Sequence, residues 1–78
     1  MTQHDIYDEY KGLRLWNYMT CEKTEDGRET WRIRVEVRRG RDEVVIPAVE
    51  PDETFVDRMY AQNAGRELGM RLVDEAGR

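Results

Sequence analysis

Between Trp31 and Val37 apolar and charged residues alternate without a break, Trp31, Ile33, Val35 and Val37 being interleaved with Arg32, Arg34 and Glu36. A period of two sends successive side chains to opposite faces of an extended chain, so this stretch predicts a half-buried strand whose apolar row faces the core. After Gly12 the run Leu13-Arg-Leu-Trp-Asn-Tyr-Met-Thr-Cys-Glu22 alternates less strictly and reads as a preceding strand. Thr24-Glu-Asp-Gly27 lies between the two, and a type I turn closed by a Gly bulge would use Glu25, Asp26 and Gly27 as a three-residue hairpin loop. That loop length sets Cys21 opposite Trp31, Met19 opposite Ile33, Asn17 opposite Val35 and Leu15 opposite Val37. The alternative is a two-residue Asp26-Gly27 turn, which slips the register by one and brings Trp16, Tyr18 and Thr20 into the core. The three-residue loop pairs more aliphatic residues.

A second hairpin is expected to turn at Arg38-Arg-Gly-Arg-Asp42, with Gly40 supplying a positive φ. Val44, Ile46 and Ala48 should then share the core face with Val35 and Ile33. Pro47 has no N–H to give to a ladder and marks this strand as an edge. Glu50-Pro51-Asp52-Glu53 suits the first turn of a helix, Thr54 and Asp57 fit a capping box, and Gly77 suits a C-cap. The apolar residues of this helix fall on two sides. Phe55, Val56, Met59 and Tyr60 point one way, whereas Ala61, Ala64, Gly65, Leu68 and Leu72 centre about 180° around at ~100° per residue, which predicts a bend or break near Ala61 to Ala64. Gly65 and Gly69 share the second side, where a bare backbone could approach the sheet closely.

The fold class expected is therefore α+β, a three-stranded antiparallel meander with one C-terminal helix, bent or broken, packed on one face in the order β-β-β-α. Residues 11–78 make one domain, as suits a chain of 78 residues. Residues 1–10 are polar and acidic without clear periodicity and are expected to form a flexible N-terminal arm; His4 in it reads as solvated.

Composition narrows the choices. Charged and apolar residues each make up 38% of the chain, enough for one core layer and too little for an internal cavity of enzyme size. The single Cys21 has no partner for an intramolecular disulfide, and the N-terminus lacks the pattern of a secretory signal, so a cytoplasmic address is the default expectation. Net charge is −4, yet the stretch from Arg28 to Arg41 holds six arginines against two glutamates. A basic centre in an acidic frame disfavours general affinity for nucleic acid while leaving room for a local patch.

Candidate chemistry is sparse. Cys21 is expected in the core beside Trp31, as a structural thiol. The pairs Asp52/Glu53 and Asp74/Glu75 fall at the predicted helix ends, and one His and one Cys far apart make no metal set. No catalytic residue, metal or cofactor is expected. The outer row of the predicted sheet differs, because Arg14, Trp16, Tyr18, Arg32, Arg34 and Arg38 alternate onto one surface. Cation–π packing among them could hold the sheet together with no ligand at all. The functional alternative is a binding surface for a protein partner, or less readily for single-stranded nucleic acid stacked on the aromatics. The function expected is a non-enzymatic interaction or regulatory module using this face or an edge strand, with a structural domain of no binding role also left open. A homodimer is a further alternative: if the N-terminal arm leaves the strand at 13–21 uncovered, two copies could pair there around a two-fold axis.

Tyr10-Lys11-Gly12 before the first predicted strand, Trp31 opening the second, and Gly69 leading into Leu72-Val73-Asp74-Glu75-Ala76-Gly77 resemble the small bacterial proteins of the HlyU-type haemolysin-activator family. The resemblance covers most of residues 10–77. It implies a β-β-β-α module of bacterial origin with a regulatory role, and it assigns no catalytic or binding residue. The chain has no recognisable helix-turn-helix, so the resemblance does not extend to direct DNA binding through one.

Overall fold

Four strands precede one helix along the chain: β1 (Thr2–Tyr10), β2 (Leu13–Lys23), β3 (Glu29–Arg39), β4 (Glu43–Val49) and α1 (Arg58–Gly77). This is a computed structural model, and it describes residues 2–77. The strands form one antiparallel sheet in the order β1-β2-β3-β4, and α1 packs on one face of it. The class is α+β with a C-terminal helix, as expected, but the sheet has four strands rather than three.

The added strand is the segment expected to be a loose arm. Residues 2–10 pair continuously with β2, from Thr2 opposite Cys21 to Tyr10 opposite Leu13. The loop between them is only Lys11-Gly12, with φ of 51° and 79°. Positive φ at both positions of a two-residue loop is the type I′ geometry, whose twist matches that of the flanking strands. Lys11 adopts a conformation rare for a side-chain-bearing residue, and its Nζ is held by Asp74 Oδ1 at 2.8 Å. Tyr10 donates its hydroxyl to the same carboxylate at 3.0 and 3.1 Å, so the β1–β2 turn is tied to the last turns of α1. Ile6 packs against the core. With β1 on one side and β3 on the other, β2 is an interior strand, and a dimer through the strand at 13–21 has no free edge to use.

The β2–β3 register is the one expected from the three-residue loop: Leu15, Asn17, Met19 and Cys21 lie opposite Val37, Val35, Ile33 and Trp31. Gly27, at φ 86°, donates its N–H to Thr24 O at 3.0 Å, and the Thr24 N–H reaches Arg28 O at 2.8 Å. Asp26 accepts the Thr24 hydroxyl and the Arg28 N–H, and these bonds, the hydroxyl first, hold its carboxyl below the ordinary range.

In β4 the expected inward row is corrected. Val35 pairs with Val49, Val37 with Ile46 and Arg38 with Val44, which requires two shifts of register. These bulges turn Val44 to the face of Arg38 and leave Ala48 exposed, while Val45 and Ile46 pack on the core. Pro47 lies within the first of these shifts, between Val49 and Ile46, on an edge strand, where its missing N–H breaks no ladder. Beyond Val49 the chain leaves the sheet, and Phe55 returns to exchange backbone bonds with Trp31 at 2.7 and 2.9 Å.

That bridge moves the helix start. Asp57, not Thr54, caps α1: its Oδ1 accepts the Met59 N–H at 2.7 Å and its carbonyl accepts the Ala61 N–H at 3.1 Å. The expected break near Ala61 to Ala64 is absent, because Phe55 and Val56 precede the helix and Met59 and Tyr60 stay exposed. One inward stripe remains, Ala61, Gly65, Gly69 and Val73. A Cβ at position 65 would overlap the carboxamide of Asn17, and one at position 69 would lie 3.0 Å from Leu15 Cβ. Asn17, only 3% exposed, donates from Nδ2 to Ala61 O at 3.3 Å. This backbone-to-sheet contact lies between two apolar clusters, one around Met19, Trp31, Ile33 and Val35, the other around Leu15, Val37 and Val73.

Candidate functional site

With α1 on one face, no element covers the other among the described residues. Strand alternation brings all six expected residues, Arg14, Trp16, Tyr18, Arg32, Arg34 and Arg38, to that uncovered face. The register of β1 adds Asp5, Tyr7 and Glu9, opposite Tyr18, Trp16 and Arg14. The residues do not act as one patch.

At the β1 side the face is packed against itself. Tyr7 meets Trp16 with ring centroids 4.6 Å apart, and the Arg14 guanidinium lies 4.9 Å from the Tyr7 ring. Trp16 stacks toward Tyr18 at 6.3 Å and 14°. Trp16 is half-buried, and its indole N–H is sealed from solvent with no acceptor among the described residues. These contacts are the sheet-stabilising use of aromatics and arginines.

In the middle of the face, Glu36 Oε1 accepts both the Tyr18 hydroxyl at 3.0 Å and Arg38 Nε at 2.6 Å. Burial, and then this hydrogen bond, push the Tyr18 phenol above its ordinary pKa. The bond to Glu36 likewise holds the Arg38 guanidinium more firmly protonated.

The third region is different. Arg34 lies over the Tyr18 ring at 5.2 Å, and among the described residues no carboxylate pairs with it. Arg32 sits between Glu22 and Glu50 at 4.0 and 3.9 Å, beyond hydrogen-bond range. Tyr18, Thr20, Glu22, Arg32, Arg34 and Glu50 line an open depression of about 630 Å³. It presents the Arg34 guanidinium, an aromatic face beneath it, and carboxylates at the rim.

Along the outward rows of β1 to β3, Asp5, Glu9, Glu22 and Glu36 match Arg14, Arg32, Arg34 and Arg38 in number. Sequence reasoning missed Tyr7, which it left in an arm, and Glu50, which it placed at a helix start. The alternation of Ile6, Asp8 and Tyr10 with Asp5, Tyr7 and Glu9 is the signal that marks Tyr7, but carboxylates stand in both rows.

Elsewhere, Cys21 is buried in the core cluster of Trp31. Among the described residues no three His, Cys, Asp or Glu side chains gather as metal ligands, and no helix is long and apolar enough to cross a membrane. Comparison of the chain with protein-family models, with curated proteins and with solved structures finds no match.

Proposed function

We propose that the chain is a non-enzymatic interaction module that holds a protein partner on its uncovered sheet face, at the end marked by Tyr18, Arg32 and Arg34. The observation that carries this reading is the Arg34 guanidinium, exposed, lying over an aromatic ring and without a carboxylate partner among the described residues, beside a depression of about 630 Å³. Arginine and aromatic side chains in such a setting supply much of the energy of protein contacts. A partner offering a carboxylate to Arg34 and an apolar or aromatic group to the depression fits this chemistry. The regulatory role implied by the HlyU-type resemblance accords with such a module, acting in a bacterial cytoplasm where Cys21 stays reduced.

Single-stranded nucleic acid is the second reading, and the carboxylates interleaved among the arginines oppose it, since they repel phosphate at the spacing where the guanidinium groups would attract it. Arg34→Glu should weaken partner capture by about tenfold or more while leaving the circular dichroism spectrum unchanged. A photoreactive residue at position 34 should crosslink the captured protein, and one at position 60, on the exposed side of α1, should not. Equal capture by the variant, or crosslinking from position 60 alone, would exclude the face as the site. Oligonucleotide binding that falls steeply with salt would favour the second reading instead.

A further inference from the structure

The outer edge of β1 differs from the opposite edge of the sheet. There β4 carries Pro47 and two register shifts, and Phe55 bridges to the early part of β3. Residues 2–10 have neither Pro nor a shift of register, and no further strand lies beyond them among the described residues. Such an edge is a template for another strand.

Its backbone polarity follows from the hairpins. The Thr24 N–H to Arg28 O bond sets the even-numbered residues of β2 toward β3, so the odd-numbered ones bond to β1. Their partners in β1 are even-numbered, from Thr2 to Tyr10. The N–H and C=O groups of positions 3, 5, 7 and 9 therefore point to the outer edge.

Two copies joined there by a two-fold axis normal to the sheet must place like faces side by side, which restricts the registers that overlap most of β1 to centres at positions 5, 6 and 7. A centre at 5 sets Asp5 against Asp5, and a centre at 7 sets Asp5 against Glu9. Like charges directly opposite are destabilising. A centre at Ile6 sets Asp5 against Tyr7. No carboxylate faces another in that register alone.

We propose that the chain forms a homodimer by antiparallel pairing of β1 with β1 of a second copy, centred on Ile6. The dimer doubles the four-stranded sheet, with both helices on one side and both uncovered faces on the other. The edge carboxylates then act as a register filter.

Sedimentation equilibrium should show a concentration-dependent mass approaching twice the 9.3 kDa of the chain. Tyr7→Pro removes an outward N–H while leaving the β1–β2 ladder intact, and should weaken the dimer by about tenfold or more relative to Tyr7→Ala, which removes the same ring and keeps the N–H. In a Cys21→Ala background, a mixture of the Asp5→Cys and Tyr7→Cys chains should form a disulfide-linked heterodimer under mild oxidation, because directly opposed hydrogen-bonded positions have Cα atoms about 5.5 Å apart. A monomer at every concentration overturns the proposal. So does an equal effect of Tyr7→Pro and Tyr7→Ala, or crosslinking of Asp5→Cys chains with one another in preference to the mixed pair.

Discussion

Replacing Gly65 by Ala tests how closely α1 lies on the sheet. At an exposed helical position this change stabilises by roughly 1 kcal/mol through helix propensity. Here the new methyl would occupy the space of the Asn17 carboxamide, overlapping Nδ2 and Cγ and standing 2.9 Å from Oδ1. Two responses are open to the structure. Rotating Asn17 breaks its bond to Ala61 O and leaves a buried amide unsatisfied, which costs about 1–3 kcal/mol. Lifting the helix loosens both apolar clusters, an overpacking cost of about 1–3 kcal/mol. Since either response also leaves residual crowding, the net destabilisation expected is about 2 kcal/mol after the propensity gain. With a urea m-value of about 1 kcal/mol/M for a domain of this size, the midpoint should fall by about 2 M. The cause is isolated by repeating Gly65→Ala in an Asn17→Ala background, where the methyl enters vacated space and the loss should vanish; residues in contact couple by about 0.5–3 kcal/mol. Gly69→Ala, whose Cβ would meet Leu15 atoms at 3.0–3.3 Å, should be milder. A rise in midpoint on Gly65→Ala in the unaltered chain, or the same loss in both backgrounds, would refute the contact as the reason for the glycine.

Two further changes probe the ends of α1. Asp57→Ala removes the cap on the Met59 N–H and should cost about 1 kcal/mol, read as a lower urea midpoint; a neutral result would return the cap to another residue. At the other end, hydrogen bonds from Lys11 and then Tyr10 hold the Asp74 carboxyl below its ordinary pKa, so its contribution is present at neutral pH and is lost as the pH falls through the folded-state value. Asp74→Asn should therefore lower the midpoint at about pH 7 and leave it unchanged at about pH 2, and a gap that persists in acid would contradict this origin.

The fold was most legible where local chemistry and long-range pairing agree. In the β2–β3 hairpin, Gly27 at the left-handed position and the strict alternation from Trp31 to Val37 require the same register, and that register is present. β1 was illegible for two reasons. Its turn places Lys11 where Asn or Asp usually announces a type I′ loop, and Asp8 falls in the inward row at the sheet margin, opposite Leu15, which blurs the period. The helix start misled because Pro51, Asp52 and Glu53 have the composition of a first turn. The competing interaction was not local: Phe55 satisfies its backbone on Trp31, and a residue paired in that way cannot also begin a helix. Pairing of Arg38 with Val44 and of Val35 with Val49 shows the same limit, since a bulge changes which side chains face inward without changing the composition of the strand.

For the site, alternation found the members but not their roles. Whether a guanidinium on a sheet face is engaged or available depends on its cross-strand and diagonal neighbours, and some of those come from β1 and from the segment after β4. The arrival of β1 sets Tyr7 over Trp16 and places Asp5 and Glu9 opposite Tyr18 and Arg14, which turns a basic stretch of sequence into a neutral mosaic. Glu36 engages Arg38 in the same way from within β3. What is left is the end of the face farthest from β1, where β3 is bordered by the exposed loop that carries Glu50 and Arg34 finds a ring rather than a carboxylate. A neutral mosaic projects little field beyond a Debye length of about 8–10 Å, so recognition here rests on short-range contact, the stacked guanidinium and the depression beside it, rather than on steering by charge.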